Sequence, residues 1–153
     1  MVARVTLPKT GKIKLAPAAH RLLEKALTAM VRRPETFNMA DWIYHDPTVA
    51  STRKTPNPYC GTVACLAGHI TLAAGVPPVR EITEKSLRGL PNAQTAYKVL
   101  AASELAWRGW INQEMLAVAL LGEPRIADLF YRTEVKSPYR MVQHVKRWLR
   151  TGA

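Results

Sequence analysis

Prolines and glycines cut this chain of 153 residues into short segments, and inside most of them the apolar residues recur at helical spacing. From Pro17 to Arg33 the stripe is Ala19, Leu22, Leu23, Ala26, Leu27, Met30 and Val31, with Pro17 suited to a first helical turn and Pro34 ending the pattern. His20, Arg21, Glu24, Lys25 and Arg32 fall largely off that stripe and are expected to face water. At the other end, Ser137-Pro138 opens a helix whose buried stripe is Met141, Val142, Val145, Trp148 and Leu149, stopped at Gly152. Between these, Asn92 can cap a helix reaching to about Trp107, Asn112 can cap Gln113 to Leu121 before Gly122, and Pro124 starts a short helix through Phe130. The expected fold class is all-α, with one compact domain of about six or seven short helices.

The stretch from Asn57 to Gly75 reads as the helix around which the others pack. Gly61, Ala64, Gly68, Thr71 and Gly75 recur at alternating spacings of three and four, which makes one face of small residues, while Val63, Leu66 and Ile70 form a bulky apolar line. Glycine inside a soluble helix costs about 1 kcal/mol relative to alanine, so two in one helix argue for close packing. Before this stretch, Phe37-Asn38-Met39-Ala40-Asp41-Trp42 has the form of a helix start, with Asn38 as cap, Asp41 completing a capping box and Phe37 with Trp42 as hydrophobic staple. A polar loop from Thr48 to Pro58 follows, carrying Arg53 and Lys54.

Residues 1–16 stand apart from the helical domain expected over 17–153. Arg4 to Leu7 and Lys12 to Leu15 are two short alternating runs around Pro8-Lys9-Thr10-Gly11, which suits either a small β-hairpin or a basic arm. No run of about 18 apolar residues suggests a membrane span, and Met-Val-Ala-Arg-Val-Thr-Leu-Pro lacks the apolar centre of a signal peptide. Two cysteines are too few for a disulfide framework. A cytoplasmic protein with no membrane partner is expected.

The formal net charge is +11, and its distribution says more than its size. Residues 1–33 carry +7 and residues 132–153 carry +5, whereas the middle of the chain is −1. All the excess sits at the two ends, where it attracts polyanions: nucleic acid, nucleotides, acidic protein surfaces and anionic lipid are all eligible. Candidate contacts are Lys9, Lys12 and Lys14 near the start, and Arg140, His144, Lys146, Arg147 and Arg150 on the last helix.

Several elements together resemble a set of small bacterial and phage-borne proteins of unassigned function. They are Phe37-x-Met39-x-x-Trp42, Cys60-Gly61-Thr62-x-x-Cys65-x-Ala67-Gly68, Leu120-Leu121-Gly122, Leu129-Phe130-Tyr131 and the closing Thr151-Gly152. The resemblance extends over nearly the whole chain from Leu22 onward and implies a fold unit rather than an activity.

The cysteine element admits three chemistries besides simple packing. Cys60 at a helix N-terminus could be an activated nucleophile with His45 as base and Asp46 as its orienter. His69 cannot serve Cys60 directly, since nine residues of continuous helix separate them by about 13 Å. A metal site would draw on Cys65 and His69, four residues apart on one face, with Cys60 and His45, though this is not a standard zinc spacing. Thirdly, an anion could rest on the amides and hydroxyl around Cys60, Gly61 and Thr62, helped by Arg53 or Lys54. As packing alone, both cysteines are small buried residues and His69 is a core histidine with one backbone partner. The leading expectation is a non-enzymatic binding protein for an anionic partner without cofactor or metal; the alternative is a cysteine-dependent enzyme centred on Cys60.

Overall fold

The computed structural model describes residues 4–39, 43–45, 62–75, 87–101 and 110–153. Six α-helices occur among them: α1 Pro17–Arg32, α2 Leu66–Ala73, α3 Ala93–Ala101, α4 Trp110–Leu121, α5 Ala127–Phe130 and α6 Pro138–Thr151. Single 3₁₀ turns at Pro34–Thr36 and Pro124–Ile126 link into them. The fold is all-α, with one small antiparallel ribbon of β1 Ile43–His45 and β2 Thr62–Ala64. No helix among the described residues is long and apolar enough to cross a membrane.

The core is organised around α2, whose eight residues are all buried. α1 packs along one side of it and α4 along another, α3 lies on α4, and α6 closes against α1. The stripes read from the sequence are the ones that pack: Leu23, Leu27 and Met30 of α1 and Met141, Val145 and Trp148 of α6 are almost completely buried. Gly122 and Gly152 adopt left-handed conformations that stop α4 and α6, as glycine after a helical stripe leads one to expect.

The central helix is shorter than its pattern suggests. Cys65 is its extended N-cap residue and the helix starts at Leu66, so Thr62-Val63-Ala64 is strand rather than helical first turn. Only Gly68 and Thr71 of the small-residue series lie in α2 itself. β-Branched Thr62 and Val63 favour extended backbone, and antiparallel pairing with Ile43-Tyr44-His45 gives that extended stretch a partner strand. The same pairing overturns the short helix expected after Asn38, because Ile43–His45 is strand; Trp42 and Asp41 lie outside the described residues. Asn112 lies within α4 rather than capping it, since that helix begins at Trp110.

Candidate anion-binding surface

The first basic segment is held down by its own backbone. No strand pairing occurs within residues 4–16; the segment runs instead along α1 and over the end of α6, with Leu7 and Ile13 buried. The Val5 amide donates to Thr28 Oγ1 at 3.0 Å, and the Leu7 amide donates to Glu24 Oε2 at 2.8 Å. Farther along, the amides of Lys12 and Ile13 donate to the carbonyls of Arg150 and Leu149 at 3.1 and 3.0 Å. A helix leaves its last carbonyls without intrahelical donors, so these bonds cap α6 from another part of the chain. The Gly152 amide caps a third, that of Trp148, at 2.7 Å.

The docked segment alters two regions, the polar side of α1 and the end of α6. His20 and Glu24, expected in water, are buried at 7% and 6% exposure because the N-terminal segment lies across that side of α1. Glu24 Oε1 stands 3.4 Å from His20 Nδ1 and 4.0 Å from the Arg4 guanidinium, while His20 Nε2 is 3.3 Å from the Pro8 carbonyl oxygen. The second region meets Gly11, which looked like a turn residue: a Cβ there would lie 2.5 Å from the Leu149 carbonyl oxygen. Glycine is needed because the segment touches the backbone of α6.

The docking joins the two basic ends of the chain. Lys9, Lys12 and Lys14 are exposed, and the Lys12 stem passes over Gly152 at the end of α6. Along α6 an open groove of about 270 Å³ is lined by Arg140, Gln143, His144, Arg147 and Arg150. An Arg147 N–H donates to His144 Nδ1 at 3.3 Å. Burial holds the His144 imidazole below its ordinary range, and Arg147, Arg132 and Arg140 push the same way against an opposing pull from Glu134. Lys146 is half-buried on the neighbouring side of the helix.

The cysteine element is arranged differently from its sequence reading. Cys65 is buried and the His69 amide donates to its carbonyl at 2.9 Å, so these two residues do lie one helical turn apart. The His69 Nε2 donates to the Thr36 carbonyl at 2.9 Å, and its Nδ1 is buried without a partner among the described residues. Burial lowers the pKa of this imidazole more than the Thr36 carbonyl raises it. Among the described residues no three His, Cys, Asp or Glu side chains gather as metal ligands. The strand register sets His45 opposite Thr62, two positions from Cys60 in the chain. Asp46, Arg53, Lys54, Cys60 and Gly61 lie outside the described residues. Activation of Cys60 by the dipole of α2 loses its ground, because that helix begins six residues later at Leu66.

Arg4, Arg21, Lys25, Arg32 and Arg33, which line a larger cleft of about 510 Å³, were not singled out as binding residues from the sequence. The available signal was the spacing of Arg21, Lys25 and Arg32, which puts all three on one side of a helix. No protein-family model, curated protein or solved structure matches the chain.

Proposed function

We propose that this is a non-enzymatic binding protein of the cytoplasm whose partner is an extended polyanion, with nucleic acid as the class its surface suits. The observation that carries this reading is the pair of backbone bonds from Lys12 and Ile13 to Arg150 and Leu149. They join a segment carrying Lys9, Lys12 and Lys14 to a helix carrying Arg140, His144, Lys146, Arg147 and Arg150, so two cationic stretches far apart in sequence become neighbours. A preorganised cationic surface binds phosphates without first ordering its own backbone, and regularly spaced phosphates reward several such contacts at once. The resemblance to phage-borne proteins is compatible with such a partner and names none.

Fluorescence anisotropy with labelled duplex DNA, single-stranded RNA and an acidic peptide of equal charge tests the proposal. Binding to a nucleic acid that weakens steeply with salt, and exceeds binding to the peptide, is the expected result. Equal binding to the peptide would move the partner to an acidic protein, and absence of binding to all three at low salt would remove the reading.

A further inference from the structure

The exposed side of α1 carries cations that the surface just described does not use. Arg21, Lys25 and Arg32 lie on one side of the helix with Thr28 between them, and Arg33 follows at its end. Arg21 and Arg32 are about 16 Å apart along the axis at 1.5 Å per residue. Arg4 contributes to the same cleft of about 510 Å³ from the docked N-terminal segment, placed there by the bond from the Val5 amide to Thr28. Four of these five cations, Arg21, Lys25, Arg32 and Arg33, make no ion pair among the described residues. The acidic residue of α1, Glu24, is buried beneath the segment and accepts from the Leu7 amide, so it does not line the cleft.

We propose that this cleft is a binding site for a compact anion bearing several linked phosphates. Five cations drawn around one concavity repel one another, and an anion entering it relieves that repulsion while gaining forked guanidinium contacts. One phosphate can take forked contacts from only one or two of these cations, whereas a run of two or three linked phosphates, with or without a nucleoside, offers charged oxygens to several of them at once. The volume lies in the usual range for small-molecule sites, and the walls are a helix and a segment fixed to it by hydrogen bonds.

The test is calorimetric titration of the whole protein at constant ionic strength with inorganic phosphate, tripolyphosphate and adenosine triphosphate. Tripolyphosphate is expected to bind with one-to-one stoichiometry and at least tenfold more tightly than phosphate. Tighter binding of adenosine triphosphate than of tripolyphosphate would identify a nucleotide as the source, and the reverse an inorganic polyphosphate; both support the site. Arg21→Gln with Arg32→Gln, at exposed positions, is expected to weaken binding more than tenfold, while Arg140→Gln with Arg147→Gln leaves it unchanged. The site is overturned if tripolyphosphate binds no better than phosphate, or if both pairs weaken it equally, which is diffuse attraction. Loss of nucleic-acid binding alone in the Arg21/Arg32 variant, with no tripolyphosphate binding in the parent, would instead assign the cleft to the polymer surface.

Discussion

Single side chains show how burial decides chemistry here. His69 sits in the core with one nitrogen on the Thr36 carbonyl, and burial favours its neutral form. The unfolded chain binds a proton at this residue near the ordinary histidine value of about 6.5, whereas the folded chain resists it to lower pH. Its contribution to stability is therefore complete above that value and falls as pH drops below it. His69→Gln can keep a donor to Thr36, so its chemical-denaturation profile between pH 7 and 5 should be flatter than that of the parent; an unchanged profile would show that His69 is not the group that titrates. Gly11 is a second informative residue, because space at the end of α6 is set by backbone atoms that cannot turn aside. Gly11→Ala should destabilise the fold by about 1–3 kcal/mol through overpacking, read as a lower urea midpoint with an unchanged slope.

At the scale of elements, what was legible in the sequence was whatever local pattern fixes. The stripes of α1 and α6 needed only apolar spacing and bounding prolines, and both helices lie within a residue of where those signals put them. The start of α2 was not legible in the same way, since Val63 fits an apolar helical line as well as it fits a strand and only the pairing with residues 43–45 separates the two. Burial of His20 and Glu24 was invisible for a related reason: the cover comes from residues 4–15, and periodicity within one helix carries no information about what lies over its polar side. The N-terminal segment is itself a structural element, capping α6 where no residue of that helix can. Hydrogen exchange should show the amides of Lys12 and Ile13 protected to the same extent as those in the last turn of α6, and Glu24→Ala, which removes the acceptor for the Leu7 amide, should lower both together. Protection of α6 that is unaffected by Glu24→Ala would mean that the segment and the helix do not hold each other.

For the molecule as a whole, the sequence disclosed an excess of charge at both ends but not whether the ends meet. Topology answers that: α6 packs on α1, and the chain before α1 runs back along it to the last turn of α6. Lys9, Lys12 and Lys14 thereby lie on the segment that docks at the end of α6, whereas Arg4, Arg21, Lys25, Arg32 and Arg33 line the separate cleft along α1. The near-neutral middle supplies much of the rest of the core through α2 and α4. The most direct measurement of this arrangement is the salt dependence of binding to duplex DNA, in which each neutralised phosphate contributes a slope of about −0.9 in log K against log salt. Replacing Lys9, Lys12 and Lys14 with glutamine should reduce the magnitude of that slope, replacing Arg140 and Arg147 should reduce it again, and the combined variant should show the sum of both reductions. A slope that one of the two sets leaves untouched would contradict a single binding surface built from both ends of the chain.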